Sequence, residues 1–296
     1  MAAPSNADEF LDLVRKSELV DAAALDAWVR NLRPAGSNPY TPKMLADMLV
    51  CDSVLTVFQA DQIRFGKWRR FSIGGHKVLE QIGSGRMGSV YLCEDSRFER
   101  AVAVKVLPTA LAQDTTSVRR FWHEARSIAA IHHENVVTAY GVGEDNGLHY
   151  IVMEYVHGPS LQQIVETKGP LSPSRAAHYV GQAAAGLQQM QSRGLIHRDL
   201  EPANILVNRQ GVVKIVDFGL ACVVDDGSVV DPKCNLVVDG MLSPDYAALE
   251  LAAGRDVDGR ADIYSLGAVL YFCLTGRPPL LEGTVAQKLQ WLQTRR

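Results

Sequence analysis

The sequence predicts an α+β fold preceded by a small all-α domain, and three observations carry that prediction. Apolar residues recur at helical spacing through residues 1–65 and again from Gly158 onward. Residues 77–107 instead alternate apolar and polar as strands do. In the stretch 194–221, GLIHRDLEPANILVNRQGVVKIVDFGLA, two short apolar runs (205–207 and 212–216) flank the turn-rich residues 208–211. That pattern is a β-hairpin signal.

Composition narrows the class. The chain has 296 residues, 47% of them hydrophobic and 21% charged, which fits an ordinary soluble globular protein of one large or two smaller domains. A formal net charge of -3 gives no reason to expect nucleic acid or an anionic membrane as partner. The five cysteines (Cys51, Cys93, Cys222, Cys234, Cys273) form no C-x-x-C and no metal-ligand spacing with histidine. They are expected to be free thiols in a reducing cytosol. The start, MAAPSNADEF, lacks the basic-then-apolar order of a signal peptide. The longest apolar run, near residues 263–274, is too short to span a bilayer and is expected to be a buried helix. The expected location is cytoplasmic.

Taken in order, residues 1–65 form the helical domain. Phe10, Leu13 and Val14 mark one apolar face, and Leu25, Trp28, Val29 and Leu32 a second, with Asp21 as N-cap between them. After a turn-rich break at 34–42 a second pair follows, marked by Met44, Leu45, Met48 and Leu49, then Val57, Phe58 and Ile63, with Thr56 as cap. Leu13-Val14-x-x-Ser17-x-Leu19 matches Leu49-Val50-x-x-Ser53-x-Leu55 at an offset of 36, which hints at two copies of one helix-turn-helix unit. Docking or dimerisation is the role expected for this region. Residues 66–76, with Lys67, Arg69, Arg70 and Gly74-Gly75, read as a basic, flexible linker in preference to a binding patch.

Residues 77–107 supply three strands. The turn between the first two is Gly83-x-Gly85-x-x-Gly88-x-Val90, preceded by Ile82. A dinucleotide-binding turn would lead into a helix, but Ser89-Val90-Tyr91 continues as strand. A glycine-rich hairpin over phosphates fits, because without side chains the backbone N–H groups can approach the oxygens. Lys105 ends the alternating run Val102-Ala103-Val104 and, as a single residue, would face solvent. A helix over 116–131 carries Glu124. His132-His133-Glu134 does not form a metal site, since adjacent loop histidines rarely chelate together. Two more strands, 136–142 and 148–153, complete a five-stranded sheet with one helix. Ser172-Pro173 caps a helix whose apolar face is Ala176, Val180, Ala183, Leu187 and Met190, and Gly194 ends it.

The hairpin places Asn204 before its first strand and Asp217 after its second. An amide and a carboxylate facing one point suit a hard cation such as Mg²⁺ with bound phosphates. His197-Arg198-Asp199, with Asn204 five residues beyond Asp199, and then Asp217-Phe218-Gly219, resemble the catalytic and metal-binding loops of eukaryotic-like (bacterial-type) serine/threonine protein kinases. The resemblance covers about residues 77–290. It implies a bilobal fold, with a small lobe at 77–153 and a mostly helical large lobe at 158–296 that stops several helices short of the family pattern. It makes Asp199 the residue that orients the substrate hydroxyl and accepts its proton, and Asn204 and Asp217 the metal ligands. Lys105 becomes the ligand of the α- and β-phosphates and Glu124 its ion-pair partner. Ile82, Gly83, Gly85 and Gly88 lie over the phosphates, while Val90, Ala103 and Leu206 enclose the adenine. Met153 backs that pocket, and backbone groups of Glu154 and Val156 bond the base. His197 and Phe218 read as packing residues. ATP and Mg²⁺ (with Mn²⁺ as a substitute) are the implied cofactors, and a protein hydroxyl the implied substrate.

Arg198 beside Asp199 resembles a pocket awaiting a phosphorylated loop residue. The loop from 217 to 250 has no Thr; its hydroxyls are Ser228, Ser243 and Tyr246, and Asp225, Asp226, Asp231 and Asp239 offer a built-in carboxylate instead. The stretch from Leu242 to Glu250 resembles the family's G-T-P-x-Y-x-A-P-E, with Leu242 and Leu249 as departures. Asp262-Ile263-Tyr264-Ser265-Leu266-Gly267 matches the start of the helix that anchors the catalytic loop. No later Arg stands ready to pair with Glu250, which is expected to be a costly buried carboxylate. Glu201 replaces the family Lys near the transferred phosphate. At about 4 Å that like-charge contact costs roughly 4 kcal/mol at an effective dielectric near 20. Two functions follow: a protein serine/threonine kinase of low activity, or a pseudokinase acting as a nucleotide-binding scaffold. Pro202 favours the Ser/Thr branch, and the long loop with P-D-Y-x-A-x-E disfavours a small-molecule kinase.

Overall fold

The structure is a computed structural model that describes residues 2–32, 40–85, 88–218, 222–225, 228–229, 243–280 and 283–294. Two compact units emerge: Met1–Thr109 with Gly143–Tyr155, and Ala110–Val142 with Val156–Arg296.

The first unit opens with four helices: α1 (Ala7–Lys16), α2 (Ala22–Leu32), α3 (Pro42–Cys51) and α4 (Val57–Arg64). Asn6, Thr41 and Thr56 cap α1, α3 and α4 by accepting a backbone N–H of the first turn. Asp21 does the same for α2 through Ala24 N–H. Phe10, Leu11, Val14, Leu25, Leu45, Leu49 and Ile63 meet in one core. The landmarks of the two helix pairs recur 35 residues apart. Ala7 and Pro42 begin α1 and α3, Ala22 and Val57 begin α2 and α4, and the left-handed residues between helices are Glu18 and Ser53. The offset of 36 read from the Leu-Val matches is therefore one residue off at the helix landmarks, although Leu19 and Leu55, 36 apart, are both buried.

Residues 66–76 differ from a loose linker. α4 closes in a Schellman motif: Gly66 at φ 74 donates to Ile63 C=O and Lys67 N–H donates to Gln62 C=O. Phe71 is buried in the helical core. Strand β1 (Ser72–Ile73) then pairs with β2 (His76–Gly85). The sheet therefore gains a sixth strand, in the order β1-β2-β3-β4-β6-β5. Here β3 is Gly88–Asp95, β4 Arg100–Val106, β5 Ala139–Asp145 and β6 Leu148–Glu154. β5 lies later than the expected 136–142; Val136 instead makes an isolated parallel bridge to Ile215. One face of the sheet buries Val78, Cys93, Val102, Val104 and Val152, with Phe58 of α4 packed against them. The helices are fastened to β2 by two side chains. Thr56 Oγ1 donates to Leu79 C=O at 2.6 Å, and buried Gln59 Nε2 donates to Val78 C=O at 2.6 Å.

The second unit begins with α5 (Thr115–Ala129), capped by Asp114, which accepts from Thr116 and Ser117 N–H. α6 (Leu161–Lys168) starts in a capping box of Ser160 and Gln163. α7 (Pro173–Gln191) carries Pro at its first position, although Ser172 makes no side-chain cap bond. Strand β7 (Leu195–Ile196) and a 3₁₀ turn (Pro202–Asn204) lead into the hairpin of β8 (Ile205–Val207) and β9 (Val213–Ile215). Asn208 shapes the hairpin turn: its Oδ1 accepts from Gln210 and Val212 N–H. β10 (Cys222–Asp225) pairs with β7 and with β11 (Ser228–Val229). Three helices follow: α8 (Leu249–Ala252), α9 (Arg260–Thr275) and α10 (Val285–Thr294). Among the described residues no helix is long and apolar enough to cross a membrane.

Candidate active site

In the first unit the glycine turn forms as a β-hairpin. Gly83 faces Val90, Ser84 faces Ser89 and Gly85 faces Gly88 across β2 and β3. Gly88 has φ +129, and a Cβ there would stand 2.1 Å from Val106 C=O, so only glycine lets β3 run this close to β4. Ile82 lies 41% exposed beside the turn. Lys105 pairs with Val90 on one side and Ile151 on the other, and Ala103 pairs with Met153. The expectation for a lone strand lysine fails here: Lys105 is only 4% exposed. Glu154 ends β6 opposite Val102.

In the second unit Glu124 sits on α5 with 1% of its surface exposed. Val156 is buried, and its carbonyl accepts Gly158 N–H. The chain passes tightly over β8 here, since a Cβ on Gly158 would meet Val207 C=O at 1.9 Å. Ser160 bridges to Leu206.

The loop after β7 is built around two buried groups. Asp262, in the first turn of α9 and 4% exposed, accepts His197 N–H at 2.8 Å and Arg198 N–H at 2.9 Å. Burial pushes its carboxyl upward from the ordinary carboxylate range, while His197, Arg198 and the two N–H donors oppose that rise. His197 is fully buried, and burial holds its pKa below 6.5 against the pull of Asp262 and Asp217. Its Nδ1 lies 3.3 Å from Asp199 N and its Nε2 3.3 Å from Val216 O. A neutral ring that accepts from Asp199 N–H must carry its proton on Nε2 and donate to Val216. Its ring packs against Phe218 at 5.4 Å. His197 thus ties the backbone of Asp199 to that of Val216, the residue before Asp217.

The hairpin completes the arrangement. Ile205 faces Ile215, and Val216 N–H donates to Asn204 C=O at 2.9 Å. Asn204 and Asp217 therefore leave the same open end of the hairpin. Asn204 Nδ2 donates to Asp199 C=O at 2.9 Å, which turns the amide so that Oδ1 is its atom available to a cation. Arg198 (φ 65) and Asp217 (φ 66) are both in the left-handed region, which costs a non-glycine residue about 1–3 kcal/mol. Such strain concentrates at functional sites and is held here by the bonds just described.

Glu201 is partly exposed. Its charge reaches Tyr246, whose phenol is pushed up first by burial and then by Glu201. Asp245, next to Tyr246, pairs with Lys288 of α10. Glu250 is only partly buried, so it is not the enclosed carboxylate the sequence leads one to expect. Gly219, Asp226, Asp231, Cys234, Asp239 and Leu242 lie outside the described residues. Among the described residues no three His, Cys, Asp or Glu side chains gather as a metal site. Asn204 and Asp217 nonetheless fit a Mg²⁺ that takes one or two protein ligands and fills its shell with phosphate and water.

A small lobe with a glycine hairpin and a buried strand lysine, and a second unit in which one buried Asp anchors an H-R-D loop beside an N…D-F pair, define a protein of the kinase class. The chain belongs to the protein kinase domain family, whose pattern matches residues 76–295. It is 43% identical over 211 residues to serine/threonine-protein kinase PknB of Mycolicibacterium smegmatis, covering 70% of this chain and 33% of that protein. It is 42% identical over 209 residues to PknB of Mycobacterium tuberculosis, covering 69% of this chain and 33% of the relative. PrkC of Bacillus subtilis, also a serine/threonine-protein kinase, is 37% identical over 221 residues, covering 74% and 33%. The chain thus spans about a third of the length of these relatives. Family membership implies the use of ATP and a divalent metal. The relatives carry the names of kinases, and the comparisons lend no support to a scaffold-only reading.

Proposed function

We propose that this chain is a protein serine/threonine kinase that transfers the γ-phosphate of ATP to a protein hydroxyl. The observation that carries the reading is the joint anchoring of Asp199, Asn204 and Asp217, through Asn204 Nδ2 to Asp199 C=O and Val216 N–H to Asn204 C=O. Asp199 accepts the hydroxyl proton as the hydroxyl oxygen bonds to the γ-phosphorus and the bond to ADP breaks. Asn204 and Asp217 hold the metal, with Mg²⁺ preferred over Mn²⁺, and when bound it neutralises phosphate charge. By the family resemblance Lys105 takes the α- and β-phosphates and Glu124 is its ion-pair partner; each is buried within its own unit. The turn from Ile82 to Gly88 covers the phosphates. Val90, Ala103, Met153 and Leu206 enclose the adenine, and Glu154 and Val156 bond it through the backbone. Free Cys51, Cys93 and Cys273 support the cytoplasmic location included in this reading.

The test is phosphoryl transfer from Mg-ATP to a generic basic substrate, read by intact mass, with Asp217→Asn as blank. Incorporation above the blank is expected. Glu201→Lys is expected to raise the rate by at least about tenfold, the equivalent of about 1.4 kcal/mol. Silence from both proteins, together with no thermal shift in Mg-ATP, would overturn the proposal.

A further inference from the structure

A cavity of about 330 Å³ lies where α4 meets the sheet, at the lower end of the range of ligand pockets. Lys67, Arg69 and Arg70 are among its lining residues, with Arg70 Nη1 donating to Thr109 Oγ1 at 3.4 Å, and the aromatic lining residues are Phe58, Trp68 and Tyr91. This is the segment that sequence alone reads as a flexible linker, and the structure fixes it at both ends. The Schellman bonds hold Lys67 to the end of α4, and Val78 N–H donates to Phe71 C=O. Between these anchors Arg70 is held at φ 69, a conformation that costs a bulky residue free energy and points from strain toward function. Arg69 lies over the Trp68 ring at 4.7 Å, and the Phe58 and Tyr91 rings are 6.3 Å apart. Among the described residues no carboxylate pairs with Lys67, Arg69 or Arg70; the nearby Asp61 is engaged by Arg64.

We propose that this cavity binds a phosphate ester whose organic part is aromatic. Three cations on one concave surface exceed what a single carboxylate can match. A phosphate monoester brings about −1.5 to −2 charges and three strong acceptor oxygens, and guanidinium groups bind it in bidentate fashion. Phe58 and Tyr91, with the part of Trp68 that Arg69 does not cover, supply apolar surface for the ring that carries it. The volume accommodates one such group, presented either as a free small molecule or as a phosphorylated side chain of a peptide. Val78 and Tyr91 belong to β2 and β3, the two strands joined by the glycine turn, so the ligand would rest on the strands that carry that turn.

The experiment titrates the full chain by calorimetry with phenyl phosphate, phenol, inorganic phosphate and a phosphotyrosine peptide, in the presence and absence of a saturating non-hydrolysable ATP analogue. Saturable binding of phenyl phosphate is expected, tighter than phenol or inorganic phosphate and unaffected by the analogue. The exposed pair Lys67→Ala/Arg69→Ala is expected to weaken it by about tenfold or more while leaving the melting temperature in place. Tighter binding of the peptide than of phenyl phosphate would assign the source to a protein partner, and equal binding to a small metabolite; both support the site. Four outcomes would overturn it: no saturable binding of any phosphate ester, no preference over inorganic phosphate, displacement by the analogue, or unchanged binding in the double variant.

Discussion

Two latches in this molecule use the same device with different chemistry. In the second unit, Asp262 in the first turn of α9 accepts the backbone N–H groups of His197 and Arg198. In the first unit, Thr56 and Gln59 at the start of α4 donate to the backbone carbonyls of Leu79 and Val78. Each fastens a helix start to the backbone leading into a functional stretch, the H-R-D loop in one case and the glycine turn in the other. The first latch is a charge enclosed in the interior, and the second is a pair of neutral donors. Hydrogen bonds to a charged group are worth about 1.5–3 kcal/mol each, against about 0.5–1.5 for neutral ones. The difference teaches that the H-R-D loop is held more firmly, and is more expensive to disturb, than the seam that carries the helical domain.

Asp262→Ala should break the stronger latch outright. Two buried N–H groups lose their acceptor, and a loss of roughly 3–5 kcal/mol is expected, together with accelerated hydrogen exchange at His197 and Arg198. Exchange at those amides that stays protected would show that the loop is held by something else. Gly88→Ala tests the close strand approach near the glycine turn. A Cβ 2.1 Å from Val106 C=O at φ +129 must displace backbone, with an expected cost of about 2–4 kcal/mol and loss of Mg-ATP binding by thermal shift. Gln59→Ala leaves the Val78 carbonyl buried without its side-chain donor and should cost about 1–3 kcal/mol in urea unfolding of the first unit. A cost matching Asp262→Ala would erase the proposed contrast between the latches.

The smallest effect concerns pH. His197 titrates near 6.5 when free and lower when folded, so the unfolded chain binds the extra proton first as pH falls. The stability it contributes is complete above about pH 6.5 and is lost as pH drops through the depressed folded value, by up to about 1.4 kcal/mol per pH unit. Asp262, raised above 3.8, acts with the opposite sign, its share declining as pH rises through its folded value. The diagnostic is therefore the difference between the parent chain and His197→Asn from pH 7.5 to 5.5. The parent should lose more stability over that interval, and parallel curves would contradict a buried neutral imidazole.

The two latches also differ in how legible they are. Asp262 stands in a run that, by family resemblance, marks the start of the helix anchoring the H-R-D loop, so the second-unit latch is legible as a helix, while the two N–H groups its carboxylate accepts are seen only in the fold. Gln59 is an ordinary helix residue by sequence. Only the packing of α4 on β2 makes its amide a buried donor, and only the Schellman turn at Gly66 converts residues 66–76 from a linker into a wall of a cavity. The repeat in the helical domain was visible but misaligned by one residue, since letter matches do not show where the helices begin and end.

Local chemistry along the chain determined the element types, the caps at Asp21 and Thr56, the glycine turn, and the hairpin that carries Asn204 and Asp217 together. These depend on side chains and backbone groups within a few residues of one another, where period, turn residues and caps act directly. Tertiary structure alone decided that Lys105 is buried, that His197 is neutral and bonded to Val216, that Glu201 lies within electrostatic reach of Tyr246, and that Lys67, Arg69 and Arg70 line one concave surface. Burial, desolvation and charge depend on what the fold brings alongside a residue, and sequence spacing does not carry that information.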